Sequence, residues 1–159
     1  MPKTAVIYDS SGNNTKKMAE IVFDEFKNRN VGCEMYHVKD FPLNRLPDFD
    51  GFFIGTPNYF GGMTALMKKF FDDSIKFFRA LDGKVGAAFC STGVIGGGGE
   101  TVIMDVIKAL LIHGMVIQGS PGGGHFGVLS IGKPDERVEK ELRDSVRRFI
   151  GLLNRVAVD

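Results

Sequence analysis

The sequence predicts an α/β fold, a parallel sheet with helices on both faces. Two observations lead there, and a third marks where function lies. Short apolar runs alternate with amphipathic stretches along the 159 residues. The runs are apolar almost throughout, as in strands buried on both sides. The loops that leave the runs are rich in Gly, Ser, Thr, Asn or aromatics, whereas the loops that return to them are charged and ordinary. The two edges of the sheet therefore differ in kind.

"KTAVIY", Lys3 to Tyr8, is a buried strand bounded by a turn cluster. From Thr15 the period becomes helical, with Met18, Ile21, Val22 and Phe26 on one face. "NRNVG" ends that helix and "VGCEMYHV" is the second strand. "FPLNRLPDFD" connects, with two prolines. "GFFIGT", Gly51 to Thr56, is the third strand, broken by "PNYFGG". Met63, Leu66, Met67, Phe70, Phe71, Ile75 and Phe78 then mark one broad helical face. "GKVGAAFCS" is the fourth strand and "TGVIGGGG" a glycine loop. Val102, Ile103, Val106, Ile107, Leu110 and Leu111 mark a third helix, closed by "HG". "MVIQG" is a short fifth strand, and "SPGGGHFGVLSIGKP" is a loop with at most a brief extended segment. Val138, Leu142, Val146, Phe149 and Leu153 mark the closing helix. No repeat or long linker divides the chain, so residues 1–159 are expected to form one domain.

Composition narrows the function classes. A hydrophobic fraction of 43% and a charged fraction of 25% suit a globular protein. A net charge of +1 gives no field for nucleic acid or an anionic membrane, and no apolar run is long enough to span one. The N-terminus enters a strand at once, without signal-peptide architecture. Cys33 and Cys90 are far apart and read as reduced thiols of a cytoplasmic protein. No carboxylate pair and no Cys/His set has catalytic or metal-ligand spacing, so no catalytic residue and no metal is expected.

Three loops at one sheet edge carry the functional signal. "DSSGNNT" offers the donors of Ser10, Ser11, Asn13, Asn14 and Thr15. Gly12 allows a tight path there, and Asn13 tolerates positive φ. The loop runs into a helix N-terminus, where free N–H groups favour an anion such as a phosphate monoester; an ordinary N-cap and turn is the other reading. Neither GxxxxGK[ST] nor a GxGxxG after the first strand is present. "GTPNYFGG" brings Tyr59 and Phe60 to the mouth, where they either cover a flat ring or plug the sheet edge. "STGVIGGGG" lets backbone approach a ligand closely, flexibility without function being the other reading. His125, in "GSPGGGHFG" after the fifth strand, is the histidine expected near a ligand; His37 and His113 read as structural.

These stretches resemble a known family over essentially the whole chain. "VIYDSSGNNTKKMAE" resembles the phosphate loop of the flavodoxin-like FMN proteins. "GTPNYFGGMTALMKKFFD", and "STGVIGGGGET" with "HGMVI", resemble the branch of tryptophan-repressor-binding-protein-like NAD(P)H:quinone oxidoreductases. The two insertions of that branch are absent here, between the second and third strands and after the start of the fifth. The resemblance implies a three-layer sandwich, with a five-stranded parallel sheet in the order 2-1-3-4-5. It implies FMN, with Ser10, Ser11, Gly12, Asn13, Asn14 and Thr15 around the phosphate. Pro57, Asn58, Tyr59 and Phe60, with Gly61, would lie beside the isoalloxazine. Ser91, Thr92 and Gly93, with Gly96 and Gly97, would hold its polar edge and ribityl chain. The implied function is electron transfer between partner proteins, by a monomer or homodimer; the alternative is NAD(P)H-dependent reduction of a quinone or another small molecule.

Overall fold

A computed structural model describes residues 1–156. The elements run β1 (Lys3–Tyr8), α1 (Asn14–Asn28), β2 (Gly32–His37), a 3-10 turn (Leu43–Asp48) and β3 (Gly51–Pro57). There follow α2 (Ala65–Asp73), a second 3-10 turn (Ser74–Phe77), β4 (Val85–Thr92), α3 (Gly99–Ile112), β5 (Val116–Ile117), β6 (Val128–Ile131) and α4 (Glu136–Val156). All pairings between these strands are parallel, and the order is β2-β1-β3-β4-β5 with β6 also on β4.

The strand order agrees with expectation, and the strand count does not. β5 pairs with Val85–Gly86 and β6 with Phe89–Thr92 of β4, so the two share the fifth position. The brief extended segment after "MVIQG" is the second half of that strand. Gly127 lies so close to the backbone that an added Cβ would meet the Ala88 carbonyl oxygen at 2.4 Å. Glycine there lets the chain return to β4 after the excursion.

Side chains alternate between two cores, one per face. Ala5 and Ile7 of β1, Phe52 and Ile54 of β3, and Ala88 and Cys90 of β4 meet α2, α3 and the Phe41–Phe49 connector. Val6, Phe53 and Phe89 meet α1 and α4. Gly55 makes room for this second core, because a Cβ there would fall 2.1 Å from the Phe89 ring. The five α4 positions read from the sequence are all buried. Asp135 Oδ1 caps that helix by accepting the Val138 N–H at 2.9 Å.

The broad face assigned to α2 departs from expectation. The helix ends at Asp73, and Ser74 Oγ bonds both the Phe71 carbonyl (2.6 Å) and His113 Nε2 (2.7 Å). The chain then tightens into a 3-10 turn and leaves Ile75 and Phe78 exposed.

Glu34 on β2 is held by the Arg45 guanidinium through two contacts of 2.8 Å and by the Tyr36 hydroxyl. These hold its carboxyl down at about 2. A depressed carboxyl stabilises the fold above its unfolded pKa and loses that effect as pH falls toward the folded value. Arg45→Met keeps an unbranched side chain and removes the guanidinium, which also lies 5.1 Å from the Phe49 ring centroid. Its acid-unfolding midpoint, followed by circular dichroism, is expected to rise by a few tenths of a pH unit.

Cys33 and Cys90 are free thiols, and burial pushes them up to about 11 and about 12. Alkylation of the native protein at neutral pH is expected to be on the order of 100-fold slower than after denaturation. Comparable rates in the two states would show that the thiols are not shielded.

Candidate functional site

β1, β3 and β4 end side by side at the carboxyl edge, next to the point where the strand order reverses. Their loops enclose a cavity of about 190 Å³. It is lined by Ser10, Ser11, Gly12, Asn14, Thr15, Pro57, Asn58, Tyr59, Ser91, Thr92 and Gly93. Eleven of the seventeen residues named from the sequence therefore meet in one place.

The first loop enters α1 through Asn13, whose φ of 66° is the left-handed turn. Gly12 is open space and does not take that conformation. Asn13 makes no side-chain cap, and the first turn holds no acidic residue, while Lys16 and Lys17 lie exposed there. An ordinary N-cap thus fails to describe this terminus, which leaves unsatisfied N–H groups and the positive end of a fifteen-residue helix at the cavity.

Hydrogen bonds stitch the three loops together. Thr15 Oγ1 and Ser91 Oγ are 2.8 Å apart, joining the first loop to the third. The Ser11 and Tyr59 hydroxyls bond across the mouth. Asn58 Nδ2 donates to Thr92 Oγ1 (3.0 Å) and the Gly97 carbonyl (2.5 Å), and its Oδ1 accepts the Gly61 N–H (2.8 Å). All three amide functions of Asn58 are used within the protein, so it is a brace between loops. Ser10 Oγ is the exception: it is buried and has no partner among the described residues. A buried hydroxyl without a partner costs about 1–3 kcal/mol, which a ligand acceptor would recover.

Tyr59 and Gly62 exchange two backbone hydrogen bonds, of 3.1 and 3.2 Å. Between them Phe60 (φ 54°) and Gly61 (φ 77°) form a two-residue turn of the type that favours Asn-Gly. Phe60 is thereby presented wholly to solvent, and Tyr59 is half exposed, so neither ring plugs the sheet edge. Gly96 (φ 73°) and Gly98 (φ 93°) shape the third loop, and Val94 and Ile95 stand exposed on it.

His125 is not part of this assembly. Its loop interrupts the fifth strand instead of following it, and its Nδ1 lies 2.7 Å from the Ser120 carbonyl. It borders a separate cavity with Glu100, Phe126 and Arg137. The glycines around it passed for a ligand loop because they serve a strand break with the same composition.

A larger groove of about 820 Å³ runs between α2 and α3, past Phe71, Ile75, Phe78 and Ile112. Lys68 and Lys108 border it but are paired with Asp72 and Asp105. It offers an anion no counterpart to the α1 terminus.

The model of the family described as NADPH-dependent FMN reductase matches residues 43–123. A flavodoxin of Aquifex aeolicus is 33% identical over 149 residues, covering 89% of this chain and 80% of its own. The chain belongs to the flavodoxin-like FMN protein family. An NAD(P)H dehydrogenase (quinone) of Archaeoglobus fulgidus is 31% identical over 86% of this chain and 89% of its own. A solved archaeal flavodoxin superposes with a TM-score of 0.78 at 25% identity, covering 98% of this chain and 99% of its own.

In this flavodoxin-like protein Asp9, legible in the sequence as a carboxylate adjacent to the site but given no role there, and Thr64, which the sequence reading left unmarked, are both buried beside the first two loops. Thr64 carried a recoverable signal, a threonine just before an apolar helical face; it caps α2 by accepting the Met67 N–H. Thr101 was also missed; its Oγ1 donates to the Gly61 carbonyl at 3.1 Å and steadies the Phe60 turn.

Proposed function

We propose that residues 1–159 act as one FMN-binding domain that carries electrons between partner proteins. The observation that carries the reading is the buried, unpartnered Ser10 Oγ beside a helix N-terminus without an acidic first turn. A dianionic phosphate supplies acceptors for that hydroxyl and for the free N–H groups together. Ser10, Ser11, Gly12, Asn13, Asn14 and Thr15 are assigned to the phosphate, and the edges of the second and third loops to the ring and the ribityl chain. Gly61, Gly96 and Gly97 act through backbone, and Asn58 holds the two ring loops in register. FMN supplies the one- and two-electron chemistry when bound. The protein's share is to hold the phosphate, exclude water and present Tyr59, Phe60, Val94 and Ile95 at the mouth as an apolar contact surface. The free thiols fit a reducing cytoplasm.

A second reading, an NAD(P)H-dependent reductase of quinones or other small molecules, is favoured by the FMN reductase model and the quinone dehydrogenase relative. One experiment separates the two. The purified protein is expected to be yellow, with one FMN per chain. Anaerobic mixing with NADH and NADPH is expected to leave the colour unchanged over seconds. Rapid bleaching by either nucleotide would overturn the carrier reading in favour of the reductase, and a colourless protein that takes up no added FMN would sink both.

A further inference from the structure

Asp9 links β1 to the first loop and is 8% exposed. Its N–H donates to the Gly55 carbonyl at 3.0 Å, fixing it to β3. Its Oδ2 accepts from Thr64 Oγ1 at 2.5 Å. Thr64 Oγ1 in turn accepts the Met67 N–H as the cap of α2, and the Thr64 N–H donates to the buried Thr56 Oγ1 at 3.2 Å. Asp9 Oδ1 lies 3.2 Å from Nε2 of His37, the last residue of β2. His37 Nδ1 accepts the Lys39 N–H at 3.2 Å, so Nε2 carries the hydrogen that faces Asp9. Asp9 therefore ties the end of β1 to β3 through its backbone N–H, and to the end of β2 and the start of α2 through its buried carboxyl group. The next residue is Ser10, the orphaned hydroxyl.

We propose that Asp9 is a positioning residue for the phosphate loop. It makes no contact with the anion. It holds the Ser10 hydroxyl and the amides that follow in a fixed place relative to the capped start of α2, from which the ring loop hangs. Preorganisation of this kind acts on affinity, because a loop already in its bound shape loses less freedom when the ligand arrives. A buried polar cluster that served stability alone would act on folding and leave the bound state unaffected.

The proposal rests on the FMN reading, and its test separates the two. The full chain and the variants Asp9→Asn, Thr64→Val, Thr64→Ser and Asp9→Asn/Thr64→Val are compared. FMN dissociation constants come from fluorescence quenching, and melting temperatures from circular dichroism of the flavin-free proteins. Asp9→Asn sets an amide N–H₂ against the Thr64 or His37 hydrogen, and FMN is expected to bind about tenfold more weakly. Thr64→Val is expected to match it. The double variant is expected to bind no more weakly than the worse single one, since both break the same link. Thr64→Ser restores the hydroxyl and is expected to stay within about twofold of the parent. A lowered melting temperature with unchanged FMN affinity would overturn the proposal, as would fully additive losses in the double variant. A parent chain that takes up no FMN would overturn the FMN reading and this one with it. Should Asp9→Asn fail to fold, the Thr64→Val and Thr64→Ser pair decides on its own.

Discussion

Phe53→Ala is expected to cost about 3–5 kcal/mol of stability, the range for removing a fully buried phenylalanine. Phe53 lies within β3 and is completely buried. Its ring centroid lies 6.2 Å from Phe26, 6.0 Å from Phe89 and 5.3 Å from Phe149. Truncation removes a shared member of three aromatic pairs and opens a cavity between α1, α4 and the sheet. The surroundings cannot collapse to fill it, because Phe26 and Phe149 also pack on each other at 5.6 Å from helices fixed elsewhere. Thermal unfolding should fall by on the order of 10 °C for a chain of this size. Phe78→Ala, on the exposed edge of the second 3-10 turn, should change stability by under about 1 kcal/mol. Similar losses in the two variants would mean that the aromatic cluster on the α1/α4 face does not dominate the core.

The same contrast explains what was legible in the sequence. Phe53 and the α4 stripe could be read because burial leaves a periodic trace in the chain itself. The split of the fifth strand left none: Val116–Ile117 and Val128–Ile131 are each too short to show a period, and the glycines between them look like a loop at a sheet edge. His125 was drawn toward the site by that composition alone. The early end of α2 was hidden because the hydroxyl of Ser74 is turned by His113, 39 residues away. At the site, the hydroxyl loop and its helix were legible because a polar run between a strand and a helix is a local pattern. The division of labour within it was not. Asn58 and Ser10 read alike as polar loop residues, yet among the described residues the side chain of one is bonded to its own and a neighbouring loop and that of the other to nothing. The Asp9–Thr64 link spans 55 positions and depends on two loops being folded first.

Ser10→Ala turns that division of labour into opposite signs in two measurements. In the flavin-free protein the Ser10 hydroxyl is buried without a partner, so its removal should leave stability unchanged or raise it by up to about 1 kcal/mol. In the complex the hydroxyl would donate to a phosphate oxygen, a charge-assisted bond worth about 1.5–3 kcal/mol, so FMN affinity should fall by roughly 10- to 100-fold. Riboflavin, which has no phosphate, provides the control: its weaker binding should be unaffected by the substitution. Ser91→Ala should behave differently, because its hydroxyl is already paired with Thr15 at 2.8 Å. There the loss strands the Thr15 hydroxyl, itself buried, and the flavin-free protein should become less stable. If Ser10→Ala instead destabilises the flavin-free protein and leaves FMN affinity intact, the hydroxyl serves the fold, and the phosphate must be held by the rest of the loop.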